Sequence, residues 1–198
     1  MNGAYLDLED HLKRAEAFHG HVCGGIVIGV RMALLGMREI GIRDPEGRDR
    51  KNLMVFVEID RCATDAITSV TGCRPGKRTM KILDYGKMAA TFLNLESRKA
   101  IRVAAVNRPA APPPDEDPRA ALQDLKVMPD AELFRIQEVS VVLGAGDLPG
   151  RPVRSVPCAL CGESVLDLRD VAVDGRTLCR PCAGGHRYYE SSPREAMA

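Results

Sequence analysis

Residues 52–60 read Asn-Leu-Met-Val-Phe-Val-Glu-Ile-Asp, an apolar and β-branched run without glycine or proline. Such a run predicts a buried strand. Two helical patterns precede it. Apolar side chains recur at helical spacing over residues 5–18 and stop at Gly20, whereas residues 23–40 are almost continuously apolar. The first pattern predicts an amphipathic helix and the second a mostly buried one.

More strand signals follow the central run. Residues 79–84, 88–95 and 100–106 alternate apolar and polar side chains around two turn-like segments. Together with the central strand they predict an antiparallel meander. A short helix is expected from Thr64 to Val70, before the meander begins. The predicted fold class is therefore α+β, with N-terminal helices packed on a mainly antiparallel sheet.

The remainder of the chain predicts two more helices and a separate module. Residues 119–127 and 130–139 carry helical periodicity and should cap the core. Residues 143–152 contain both glycine and proline, a composition typical of a hinge. We expect a core domain over residues 1–143, a linker over 144–155, and a zinc-ribbon domain with its tail over 156–198.

Composition narrows the classes of partner. Of the 198 residues, 45% are apolar and 28% charged, the formal net charge is +1, and only 4% are aromatic. Nucleic-acid binding would call for a basic track and stacking aromatics, so these values argue against it, and they give no attraction to an anionic membrane. The N-terminal stretch has no signal-peptide core and no membrane-spanning run, so the expected compartment is the cytoplasm.

The first metal-site signal is Cys158-Ala-Leu-Cys161, followed after seventeen residues by Cys179-Arg-Pro-Cys182. Two residues between thiolates let one turn place both sulfurs on a single ion, and the intervening hairpin brings the second pair to complete a tetrahedron. This spacing predicts a structural zinc site formed by all four cysteines. The alternative is two independent redox Cys-x-x-Cys pairs, which normally open helices on a larger fold.

A second group of candidate ligands lies near the N-terminus. His19 and His21 flank one glycine, Cys23 follows at the start of the second predicted helix, and Cys62 follows the central strand. Imidazole and thiolate bind zinc or a softer, redox-active metal. These four residues therefore predict a second metal centre, of unknown metal, in the core. The alternative is that the cysteines are buried core thiols and the histidines are hydrogen-bonded in a turn.

Two acidic residues near these ligands have two interpretations. Asp60 and Asp65 could hydrogen-bond the histidines and orient them, or they could cap the short helix that follows the central strand. If this second metal centre is catalytic, the candidate residues are Cys23, Cys62 and Asp65, with Asp65 as a proton shuttle.

A third segment adds Cys73, Arg74 and Lys77. Cys73 sits beside a glycine at the end of an element, where sites are often built, so we expect it to belong to the same site. Arg74 and Lys77 would suit an anionic ligand such as a phosphate, a carboxylate or a pterin-cofactor group, which makes all three candidate cofactor-binding residues. Basic residues around Pro-Gly are also common as plain turn residues.

Four motifs occur in a fixed order: His19-Gly-His-Val-Cys23-Gly-Gly, Asp60-Arg-Cys62-Ala-Thr-Asp65-Ala, Thr71-Gly-Cys73-Arg-Pro-Gly-Lys77 and Gly86-Lys-Met-Ala. This order, with the C-terminal ribbon, resembles the formylmethanofuran dehydrogenase FmdE family. The resemblance implies an α+β core with a cleft lined by the histidine and cysteine motifs, a metal there, and a homodimer. It also implies association with a molybdenum or tungsten oxidoreductase. The chain departs from the common pattern at Gly24 and Arg74, where many members have proline and threonine.

Three functional hypotheses follow. The leading one is a metal-binding protein of the FmdE type, with an accessory, redox or metal-handling role linked to a molybdenum or tungsten enzyme. The second is a stand-alone metalloenzyme that uses an open metal position to act on an unknown small molecule. The third is an interaction module whose zinc ribbon docks on a partner protein or on nucleic acid, with the cleft cysteines as inert core thiols.

Overall fold

Two helices open the fold, as the apolar spacing predicts. The computed structural model describes residues 7–107, 118–185 and 187–190. Helix α1 spans Leu8–His19 and helix α2 spans Gly24–Glu39. Helix α1 ends at Gly20, whose φ of +102° favours glycine over any residue with a Cβ atom. This left-handed turn allows the second helix to begin only a few residues after the first one ends.

A five-stranded sheet has the spatial order β2-β1-β3-β4-β5. Its strands are β1 at Leu53–Val57, β2 at Met80–Ile82, β3 at Ala89–Asn94, β4 at Ala100–Ala105 and β5 at Phe134–Glu138. The pairs β1–β3, β3–β4 and β4–β5 are antiparallel. The predicted class, α+β with helices on a mainly antiparallel sheet, is confirmed.

One strand pair departs from the predicted meander, because β2 runs parallel to β1. Helix α3, at Cys62–Thr71, lies between these two strands in the sequence and carries the chain back to the end of the sheet from which β1 starts. Parallel neighbours require a crossover connection of this kind, whereas a tight turn can only join antiparallel strands. The expectation that residues 79–84 join the central strand in an antiparallel meander is therefore wrong at this pair.

The segment at 130–139 also differs from its predicted helix. Only α5, at Asp130–Leu133, is helical before β5 begins, while α4 covers Pro118–Val127 as expected. Strand β5 pairs with β4 over its whole length. Without β5, the backbone groups along that side of β4 would lack partners, so pairing at the sheet edge overrides the local helical periodicity.

Helices α2 and α3 pack at backbone distance. A Cβ atom added at Gly29 would lie 2.8 Å from the Cα atom of Ala63 and 2.7 Å from the Cβ atom of Ala66, so no side chain fits there. One turn earlier, a Cβ atom at Gly25 would lie 3.1 Å from the Cβ atom of Cys62. This close contact brings the N-terminal ends of the two helices together.

The chain divides into two compact units between Val142 and Leu143. The second unit contains two antiparallel hairpins. Their strands are β6 at Ser155–Pro157, β7 at Ser164–Leu166, β8 at Asp170–Val173 and β9 at Arg176–Cys179. Within the described residues, no helix combines the length and apolar character needed to cross a bilayer.

The glycine-rich start of the second unit is held by one arginine. The Arg169 guanidinium donates to the carbonyl oxygen of Gly146 at 3.2 Å and to the carboxylate of Asp147 at 2.6 Å. Both acceptors lie in the segment 144–155, for which the sequence predicts a linker. At least this part of the segment therefore packs with the hairpins that follow it.

Candidate metal centres

The four cysteines of the second unit form a compact sulfur cluster. The Sγ atoms of Cys158, Cys161, Cys179 and Cys182 all lie within 4.8 Å of one another, and those of Cys161 and Cys179 are 3.9 Å apart. Four sulfurs placed about 2.3 Å from a central zinc ion would be about 3.8 Å apart along each edge of the tetrahedron. The donor set and its spacing therefore fit zinc.

Tight turns present both cysteine pairs. Between β6 and β7, the N–H of Gly162 donates to the carbonyl oxygen of Cys158 at 2.9 Å, and Gly162 has a φ of +77°. After β9, the N–H of Ala183 donates to the carbonyl oxygen of Cys179 at 2.9 Å. The N–H of Cys179 also points at the Sγ atom of Cys158, at 3.3 Å. Backbone donors thus face sulfur on the inside of the cluster.

The thiols of this cluster do not ionise alike. The backbone N–H groups of Cys161 and Cys179 lower the pKa of Cys158 to about 6. The backbone N–H of Glu163 acts to lower the pKa of Cys161, but desolvation and the neighbouring thiols outweigh it and raise that pKa to about 12. The pKa of Cys182 is also raised, first by its contact with Cys179. A bound cation is needed before all four can be thiolates.

A second group of ligand atoms forms where three helix ends meet. His19 is the last residue of α1, Cys23 immediately precedes α2, and Cys62 is the first residue of α3. A ring nitrogen of His19 and the two Sγ atoms all lie within 4.8 Å of one another, and all three residues are partly buried. The structure therefore brings together three of the four residues that the sequence predicts as core ligands. His19, Cys23 and Cys62 are called the His19 group.

Asp65 is hydrogen-bonded to one ring nitrogen of His19. The Nδ1 atom lies 2.8 Å from Oδ2 of Asp65, and because an ionised carboxylate can only accept, Nδ1 carries the proton. The Nε2 atom is buried and has no hydrogen-bond partner among the described residues. A neutral imidazole in this tautomer has its lone pair on Nε2, which is the form that binds a metal ion.

His21 and Asp60 are not part of this arrangement. His21 is exposed and lies outside the group of ligand atoms, although its ring centroid is 4.8 Å from that of His19. Asp60 is exposed as well. Of the two acidic residues considered from the sequence, Asp65 is the one that contacts a histidine. The ligand role of His21 remains a prediction.

Cys73, Arg74 and Lys77 follow the opposite end of α3 from Cys62. Helix α3 has ten residues, so its ends are about 15 Å apart. Cys73 is 3% exposed in the core, and its Sγ atom donates to the carbonyl oxygen of Leu53 at 3.7 Å. Arg74 and Lys77 are exposed at the short 3₁₀ turn Pro75–Lys77. The structure does not bring these three residues to the His19 group.

Arg187 is a candidate that the cysteine spacing does not identify. Its Nη2 atom donates to the Sγ atom of Cys182 at 3.5 Å. A guanidinium beside a thiolate ligand offsets part of the negative charge of a four-thiolate zinc site. The sequence signal would have been an arginine five residues after the last cysteine, which is too weak to stand out among the other arginines of this region.

Two family models match separate parts of the chain. The model described as FmdE, Molybdenum formylmethanofuran dehydrogenase operon, matches residues 18–135. The model described as Prokaryotic dksA/traR C4-type zinc finger matches residues 151–188. The first match contains the His19 group, and the second contains all four cysteines of the sulfur cluster.

Individual proteins are similar to this chain as well. A probable S-adenosyl-L-methionine-binding protein of Archaeoglobus fulgidus is 36% identical over 93 residues, which are 46% of this chain and 25% of that protein. The chain therefore spans about a quarter of the length of this relative. Among solved structures, a tungsten formylmethanofuran dehydrogenase FmdE-like protein from Syntrophus aciditrophicus matches with a TM-score of 0.56 at 22% identity, covering 93% of this chain and 96% of that chain. This likeness shows a shared fold.

Proposed function

This chain belongs to the family described as FmdE, Molybdenum formylmethanofuran dehydrogenase operon, and from that membership we propose a metal-binding protein with two centres. The first centre is a structural zinc ion held by the four cysteines of the second unit. The second is a metal ion held in the core by His19, Cys23 and Cys62. Three protein ligands leave one coordination position for water, a substrate or a donor atom of another protein.

The observation that supports the core centre most strongly is the buried Nε2 atom of His19, which has no hydrogen-bond partner among the described residues. A buried imidazole nitrogen without a hydrogen-bond partner is costly, and metal ligation is one way to satisfy it. The other ring nitrogen, Nδ1, is hydrogen-bonded to Asp65. Most metal-binding histidines donate their second ring N–H to a carboxylate, a carbonyl or water in this way. Burial raises the pKa of Cys62, and Cys23 adds to the rise, so metal binding at this site must displace a thiol proton.

We propose that the core centre serves an accessory, redox or metal-handling role linked to a molybdenum or tungsten oxidoreductase. Family membership supports this link. Ligands that are partly buried, yet not sealed from solvent, suit an ion that is loaded and passed on. Reduced thiols are needed for such a site, so we place the protein in the cytoplasm, and from the resemblance we propose a homodimer.

A stand-alone metalloenzyme is the second candidate. The three-ligand geometry favours it, because catalytic zinc sites keep one position open whereas structural sites are closed by four protein ligands. In that case Asp65 would act through His19, because its carboxylate is already engaged with Nδ1. Turnover of a small molecule that is lost in Cys62→Ala would favour this candidate over an accessory role.

The test of the proposal is metal content per chain, measured by elemental mass spectrometry on protein purified without chelator. Two ions per chain are expected for the wild type. Cys23→Ala should lose one ion, and Cys179→Ser should lose the other. If the wild type holds a single zinc ion that Cys23→Ala retains, the core centre is wrong, and a zinc-ribbon interaction module becomes the better description.

A further inference from the structure

Cys23 and Cys62 are placed to react with each other as well as with a metal. They are 39 positions apart in the sequence, yet their Sγ atoms lie within 4.8 Å because α2 and α3 begin side by side. A disulfide brings two sulfurs to about 2.0 Å.

Gly25 creates the room for this approach. A Cβ atom at this position would lie 3.1 Å from the Cβ atom of Cys62 and 3.6 Å from the Sγ atom of Cys23. Both cysteines are partly buried, whereas Cys73 is buried. The Cys23 and Cys62 sulfurs are therefore close to each other and within reach of a small reagent, a combination that Cys73 does not share.

We propose that Cys23 and Cys62 form a reversible disulfide that switches the core site between a metal-binding dithiol and an oxidised form that releases the ion. This inference rests on the proposed core centre and adds its regulation. Oxidation removes two of the three ligands at once, and His19 alone, still held by Asp65, cannot retain a divalent ion.

The oxidant is a low-molecular-weight disulfide, and the exchange balances without another reagent. One protein thiolate attacks the disulfide of the reagent, forming a mixed disulfide and releasing one thiolate. The second protein thiolate attacks the protein sulfur of that intermediate, forming the Cys23–Cys62 bond and releasing the second thiolate. The two protein sulfurs are oxidised by two electrons, the reagent is reduced to two thiols, and the released thiolates take up protons from solvent.

The experiment treats the folded full chain with oxidised glutathione, alkylates the remaining thiols after unfolding the chain in denaturant, and maps the peptides by mass spectrometry. The expected product links the Cys23 peptide to the Cys62 peptide, and Cys73 remains alkylated as an internal control. Dithiothreitol should remove the link. In Cys23→Ser and Cys62→Ser the link should be absent, and the remaining cysteine should carry glutathione instead. The metal lost on oxidation should equal the metal lost in Cys23→Ala.

Separate outcomes distinguish this inference from the proposed function. A metal-free chain that forms the Cys23–Cys62 link supports the thiol pair even if elemental analysis finds no core metal, in which case the proposed centre fails alone. A chain that binds the core metal but yields only separate glutathione adducts on Cys23 and Cys62 overturns the switch. Links from either cysteine to the four-cysteine cluster would overturn it as well.

Discussion

One glycine separates His19 from His21, yet the two imidazoles have different surroundings. His19 is partly buried and hydrogen-bonded to Asp65, whereas His21 is exposed. We therefore expect His19→Ala to lose the core metal and His21→Ala to retain at least half of it, as measured by elemental analysis after gel filtration. The pair is matched in residue type and in position along the chain. Equal losses in both variants would mean that His21 is a fourth ligand.

Asp65 should act on the metal through His19. Replacing such a carboxylate typically costs about 10- to 100-fold in metal affinity, because the imidazole loses both its orientation and part of its basicity. Asp65→Asn should therefore weaken the core metal by about that factor in a chelator competition, while saturating metal still restores full occupancy. Asp60→Asn is the matched control, since Asp60 is exposed and lies outside the group of ligand atoms. Unchanged affinity in Asp65→Asn would show that the carboxylate only tethers the two helices.

The packing of α2 on α3 sets the distance between the two core cysteines. In Gly25→Ala the new methyl group would lie 3.1 Å from the Cβ atom of Cys62, so Cys62 must shift by a few tenths of an ångström. We expect roughly tenfold weaker core metal binding, the lower end of what disturbing a ligand's support costs, with the ribbon zinc unaffected. Gly76→Ala is the control, because its Cβ atom would meet nothing within 4 Å. Isothermal titration of the metal-free variants would measure the difference, and equal affinities would show that the helices absorb the shift.

Local signals and long-range pairing explain which elements could be predicted. The helices α1 and α2 follow from apolar spacing and from the stop at Gly20, which are properties of neighbouring residues. The direction of β2 and the conversion of residues 134–138 into β5 depend on partners far along the chain. The contact of His19 with Asp65 spans 46 positions, so the spacing of residues leaves open whether Asp65 orients a histidine or caps the short helix. Both groups of candidate ligands could be predicted from the sequence because their cysteines lie in short, recognisable motifs.

The two units should respond independently to loss of zinc. Among its described residues, the second unit has short strands and few buried apolar side chains, so the proposed zinc ion and its four cysteines should supply much of its folding free energy. A strong chelator should make the segment after Leu143 sensitive to protease, while the far-ultraviolet circular dichroism of the helical first unit changes little. Cys179→Ser should show the same sensitivity without chelator. A single cooperative loss of both signals would show that the units fold as one.

Acid should destabilise the first unit through the partly buried ion pair between Glu58 and Arg102. Glu58 is 6% exposed and accepts from Nε and Nη2 of Arg102 at 2.6 Å and 2.8 Å. The hydrogen bonds from Arg102 hold the pKa of Glu58 below its ordinary value of 4.5. A lowered pKa in the folded state stabilises the fold above pH 4.5, and this contribution is lost as the pH falls through the folded-state pKa.

The measurement is urea unfolding of the first unit at a series of pH values between about 7 and about 3, followed by the helical circular dichroism signal. Glu58→Gln should be less stable than the wild type near neutral pH, and the difference between the two proteins should shrink as the pH falls below 4.5, because protonation removes from the wild type the charge that the variant already lacks. Glu16→Gln, at an exposed position of α1, controls for the change in net charge. A difference that stays constant with pH would mean that Glu58 stabilises the sheet by packing and not through its ionised contact with Arg102.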